Sequence, residues 1–200
     1  MKNIILSIAI AATTLAACNS NSNKSTESQN RSKDTQAKSQ TDNATITTSS
    51  VADAKNTVSI KEIVSTYLQL KNALTKDNTT DAATAGTTLE AAFKNFDKTA
   101  LTAAQKKTFE DVEDDAREHA EHIGKNGGNI VHQREHFEIL SKDIYDLVKT
   151  FGGGQVLYKV FCPMYNNGKG AFWISEIKEI KNPYLGKAMP TCGTIKEEIK

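Results

Sequence analysis

Apolar positions recur at helical spacing in four successive stretches of the chain. In the first, Ile60, Ile63, Val64, Tyr67, Leu70 and Leu74 share one face, behind Ser59 and Glu62 at capping-box spacing. A second stretch, predicted to start near Thr80 or Asp81, lines up Ala85, Leu89, Phe93 and Phe96. A third opens on Thr102 and Gln105, again a capping-box pair, and carries Phe109, Val112, Ala116, Ala120 and Ile123. Lys125-Asn126-Gly127-Gly128-Asn129 stops it. The fourth runs over residues 130–151 with Phe137, Leu140, Ile144, Leu147, Val148 and Phe151 on one side, and Gly152-Gly153-Gly154 ends it. Short links between amphipathic helices make antiparallel neighbours, so the pattern predicts a mainly α fold, a four-helix up-and-down bundle.

The period then changes. Residues 155–161 alternate and are rich in Val, Leu, Tyr and Phe, as a strand does. Ala171-Phe172-Trp173-Ile174 is its expected hairpin partner across Tyr165-Asn166-Asn167-Gly168-Lys169-Gly170. Asn182-Pro183-Tyr184-Leu185-Gly186 is a turn. A small C-terminal β-hairpin and loop segment is therefore expected to follow the bundle.

The pattern ahead of the helices sets the compartment. Lys2 precedes a short apolar run, Ile4 to Ala12, which suits a signal peptide and is too short to span a bilayer. Leu15-Ala16-Ala17-Cys18 resembles a bacterial lipobox. The expectation is a signal peptide at residues 1–17, a lipid on Cys18, and a disordered Ser/Thr/Asn-rich tether to residue 50. Residues 51–200 remain for one folded domain. The membrane is then a partner only through the N-terminal lipid, and the domain sits in the cell envelope. No acidic residue occurs at 19–24, which favours a periplasm-facing anchor over a surface one. Without Lys2 the basic and acidic side chains balance, so no charge surplus draws the domain to nucleic acid.

With Cys18 assigned to the lipid, Cys162 and Cys192 remain. Each lies beside a methionine: Cys162-Pro163-Met164 and Met189-Pro190-Thr191-Cys192. Thiolate and thioether are soft donors suited to Cu(I). In an oxidising compartment, however, two cysteines commonly pair as a disulfide, and both readings stand. All four histidines lie between 119 and 136. His119 and His122 are three apart, His132 and His136 four apart, so each pair shares one side of a helix. On a helical wheel His119 and His136 border the apolar faces, while His122 and His132 lie towards solvent. Two facing helices that each bring an imidazole can build a metal site in a bundle.

His132-Gln133-Arg134-Glu135-His136-Phe137, Leu140-Ser141, Cys162-Pro163-Met164, Gly170 to Ser175, Ile180 to Tyr184, Gly186, Met189 and Cys192-Gly193 together resemble the DUF3347 family. These are small bacterial periplasmic or lipoprotein domains, also found appended to adaptor subunits of copper/silver efflux pumps. The resemblance spans residues 129–200; earlier helices share a helical pattern, with Glu121-His122-Ile123 the clearest echo. It implies a heavy-metal-binding domain with His122, His136, Cys162, Met164, Met189 and Cys192 as ligands. It also implies Cu(I), or Ag(I), as the ion and an efflux-pump adaptor as a partner. His119, which the wheel places inward, is the rival to His122. The competing reading is a protein-interaction lipoprotein with a structural Cys162–Cys192 disulfide and no metal. An enzyme is not expected: Pro163 follows Cys162, and the chain has no Cys-x-x-Cys redox motif.

Overall fold

A computed structural model describes residues 59–200. The signal segment, Cys18 and the tether lie outside the described residues. Four helices follow in order: α1 (Lys61–Thr75), α2 (Thr79–Lys94), α3 (Ala103–Lys125) and α4 (Ile130–Phe151). Three strands close the chain: β1 (Leu157–Cys162), β2 (Ala171–Ser175) and β3 (Thr194–Ile199), with a 3-10 turn at Gly186–Ala188. Among the described residues no helix is long and apolar enough to cross a membrane.

Local chemistry explains the helix starts. At α3, Thr102 Oγ1 accepts from Gln105 N at 3.3 Å, and Gln105 Oε1 accepts from Thr102 N at 3.1 Å, the expected capping box. Asn78 caps α2 by accepting from Asp81 N at 3.0 Å, slightly upstream of the expected start. At α1 the expected Ser59–Glu62 box does not form. The N-cap is Ile60, and Ser59 Oγ accepts from Lys61 N at 3.2 Å instead.

Consecutive helices pack antiparallel, and α4 returns to α1. The α2–α3 crossing is close. A Cβ at Gly86 would stand 2.8 Å from Gly124 N and 2.9 Å from Ala120 O, so only glycine permits this approach. Tyr67 and Phe137 stack at 5.2 Å between α1 and α4. Phe96, beyond the end of α2, still stacks on Phe109 at 4.3 Å.

The C-terminal segment is a three-stranded antiparallel sheet, order β2-β1-β3, rather than a bare hairpin. Val160 pairs with Trp173 and Leu157 with Ile199. The connection between β1 and β2 turns through Asn166 (φ 51°) and Asn167 (φ 56°), left-handed conformations that asparagine tolerates better than most residues. Tyr67 fastens sheet to bundle: its hydroxyl lies 2.8 Å from Ser141 Oγ and accepts from Ile174 N at 3.1 Å. Arg134 fastens the C-terminal loop, donating to Pro183 O at 2.7 Å, Leu74 O at 3.1 Å and Asp77 Oδ1 at 2.5 Å.

Candidate metal centre

The α3–α4 connection brings all four imidazoles together. Asn126 closes α3, its Nδ2 donating to His122 O at 2.8 Å. Asn129 opens α4, its Oδ1 accepting from His132 N at 3.2 Å. Gly128, at φ 97°, makes the reversal between them. Fully buried Gln133 then ties the first turn of α4 to its neighbours, donating from Nε2 to Thr79 O at 3.0 Å and Ile123 O at 3.2 Å. The last turns of α3 and the first turns of α4 are thus fixed face to face.

His136 is the hub. Its ring stacks on His122 at 4.4 Å, meets His132 edge-on at 4.4 Å and lies 5.0 Å from His119. One ring nitrogen each from His122, His132 and His136 falls within a set whose members all lie within 4.8 Å of one another. Tetrahedral ligands at a metal–nitrogen distance near 2.0–2.1 Å sit about 3.3 Å apart. A common ion would need the three nitrogens to close from within 4.8 Å to about that spacing. His119 stands outside this group, buried, with Nδ1 at 2.8 Å from His136 Nδ1.

Carboxylates on the same helices back the rings. Glu118 Oε1 lies 3.9 Å from His122 Nε2, Glu135 Oε2 3.6 Å from His132 Nδ1, and Asp115 Oδ1 3.4 Å from His119 Nε2. Carboxylate partners help to set the orientation of imidazole rings. Burial, followed by the charges of His119, His122 and His132, pulls the His136 pKa from 6.5 down to about 4. It is therefore uncharged at neutral pH, the form that ligates.

The expected ligand set is only partly assembled. His122 and His136 meet as expected. His132, assigned to solvent by the wheel, joins them, and His119 lies inward as the wheel placed it. The sequence signal for His132 was its four-residue spacing from His136 together with the acid at Glu135. Cys162 and Cys192 are bonded to each other, with Cα atoms 5.6 Å apart, so neither offers a thiolate to a metal in this state. Met164 and Met189 are exposed, on the loops flanking that disulfide. The donors gathered on α3 and α4 are thus nitrogen, not sulfur.

Asp143 lies seven residues beyond His136 on α4. Its Oδ2 is buried with no hydrogen-bond partner among the described residues. Burial, then Asp115 and Asp146, raises its pKa from 3.8 to about 7, against the pull of Lys142. A carboxyl raised in the folded state holds its proton better there than when unfolded. Its contribution is present below the unfolded value and is lost as pH rises through the folded one. Asp143→Asn is therefore expected to stabilise the domain by about 1–2 kcal/mol at about pH 8, after discounting for partial exposure. Thermal melts of the two proteins should differ by roughly 2–8 °C at about pH 8 and converge near pH 4; equal melts at the higher pH would contradict the assignment.

A family model described as "Protein of unknown function (DUF3347)" matches residues 63–155. The match covers nearly all of the helical bundle, including all four histidines, and ends before β1. It overlaps the segment whose motifs carry the resemblance, 129–200, over residues 129–155. The chain matches no curated protein and no solved structure.

Proposed function

The chain belongs to the DUF3347 family, and we propose that its helical domain binds a transition-metal ion, copper first among them, through His122, His132 and His136. The observation that carries this reading is the convergence of three imidazole nitrogens from two helices within 4.8 Å. Imidazole suits Cu, Zn, Ni and Fe, and the Irving–Williams order places Cu(II) highest among the divalent ions. Three rings leave a coordination position open, as a site that exchanges or hands over its ion requires. On this reading the chain captures or buffers copper rather than catalysing a reaction. Anchored in the envelope through Cys18, it would pass the ion to an efflux adaptor.

Titration of the metal-stripped protein with Cu(II), with Cu(I) under anaerobic conditions, and with Zn(II), each against a chelator competitor, tests the proposal. Binding of one copper tighter than about micromolar is expected, in the range of sites with biological occupancy. No ion bound more tightly than that would sink it.

The Cys162–Cys192 bond favours a second reading, a docking domain whose C-terminal loops are held for a protein partner. Here copper would leave the melting temperature unchanged, whereas a bound ion raises it.

A further inference from the structure

The outer rings of the centre, His122 and His132, each face a carboxylate on their own helix. Among the described residues the hub, His136, faces no carboxylate at such a distance; it faces His119, which in turn faces Asp115. We propose that His119 is a positioning residue, fixing His136 as the Nδ1–H tautomer so that its Nε2 lone pair is left for the metal. This inference rests on reading His122, His132 and His136 as the ligands.

Two Nδ1 atoms 2.8 Å apart require one donor and one acceptor. Asp115 Oδ1, 3.4 Å from His119 Nε2, favours a hydrogen on that nitrogen. A neutral His119 with its hydrogen on Nε2 has only a lone pair on Nδ1. His136 must then donate from Nδ1, and its own lone pair is on Nε2. The opposite arrangement, with His119 donating, places the hydrogen of His136 on Nε2 and occupies the Nδ1 lone pair, leaving no nitrogen for an ion. Direction along Asp115, His119 and His136 therefore decides whether the hub can ligate. Buried His119 is held between both partners, which a solvent-facing imidazole would not be.

Long-range proton–nitrogen NMR of the imidazoles in the metal-free protein at neutral pH reads the tautomer directly. The expected result is a protonated Nδ1 and a bare Nε2 at His136; a protonated Nε2, or an average of the two forms, overturns the role. His119→Gln keeps an acceptor oxygen and is expected to keep the tautomer. Copper affinity should stay within about threefold in His119→Gln and fall about 10–100-fold in His119→Phe, as for loss of an outer partner. Wild-type affinity in His119→Phe would also overturn it. Because the wild-type tautomer is read without metal, it remains informative if His119→Phe does not fold. Absence of copper binding with an Nδ1–H hub would count against the ligand assignment, whereas an Nε2–H hub counts against His119 whatever copper does.

Discussion

His136→Ala is expected to remove specific copper binding, weakening it by more than about 100-fold, beyond the 10–100-fold that loss of an outer partner costs. His136 is the one ring in contact with the other three. Without it the remaining cluster pair, His122 and His132, lies 5.9 Å apart by ring centroid. A copper concentration about 100-fold above Kd should stabilise the native protein by about 2.7 kcal/mol, a rise in Tm of roughly 5–11 °C. The variant should show no such rise. Calorimetry with and without copper measures both quantities, and a variant that still melts later with copper would move the site away from α3 and α4.

The same substitution has a pH signature in chelated protein. His136 has a folded pKa near 4, below its ordinary 6.5. Between these values the unfolded chain binds more protons than the native one, so stability rises with pH. The contribution is present above about 6.5 and is lost as pH falls towards about 4. Asp143 acts in the opposite sense over nearly the same window, since its raised pKa makes stability fall as pH rises. In the native chain the two slopes offset each other. His136→Ala leaves the Asp143 slope uncovered, and Asp143→Asn leaves the His136 slope.

What the sequence made legible was whatever is decided within one element. The Thr102–Gln105 box and the Asn-Gly-Gly-Asn reversal are local, and both form. The Ser59–Glu62 box has the same spacing and does not form, because Ile60 is drawn into the core at 2 % exposure. Burying an isoleucine is worth about 1.5–3 kcal/mol, more than the roughly 1 kcal/mol of a cap. β3 was missed because it is a mostly exposed strand with little apolar alternation. Its run Lys196-Glu197-Glu198 reads as solvent, yet Glu197 accepts from Tyr145 Oη at 2.8 Å and Lys149 Nζ at 2.6 Å on α4. The place of His132 in the histidine cluster was not legible for a related reason. A wheel ranks a residue against its own helix, and His132 is indeed part-exposed there, but the imidazoles it meets lie on α3 as well as α4. The family likeness on 129–200 placed sulfur at the centre; pairing of Cys162 with Cys192 depends on the distance between the end of β1 and the loop before β3, which spacing alone does not set.

Replacing Cys162 and Cys192 together by serine is expected to destabilise the domain by about 3–4 kcal/mol while leaving copper affinity unchanged. The bond closes a loop with a sequence separation of 30 residues, for which the chain-entropy argument gives that magnitude. The corresponding fall in Tm is roughly 6–16 °C for a domain of this size. Much of this arises in the unfolded chain, which the bond restricts; the rest is local. Cys162 is fully buried at the end of β1, and Asn182 Nδ2 donates to Cys192 O at 2.7 Å, holding the loop from which Tyr184 Oη reaches Phe172 O at 2.6 Å. Serine at Cys162 buries a hydroxyl where the sulfur was apolar, adding to the loss. Copper affinity is the discriminating readout. If nitrogen donors on α3 and α4 hold the ion, the serine variant binds it as the native protein does, provided the measurement is made below its lower Tm. If affinity falls with the cysteines, or rises on reduction of the native protein, sulfur from Cys162 and Cys192 belongs to the site and the imidazoles alone are not its ligands.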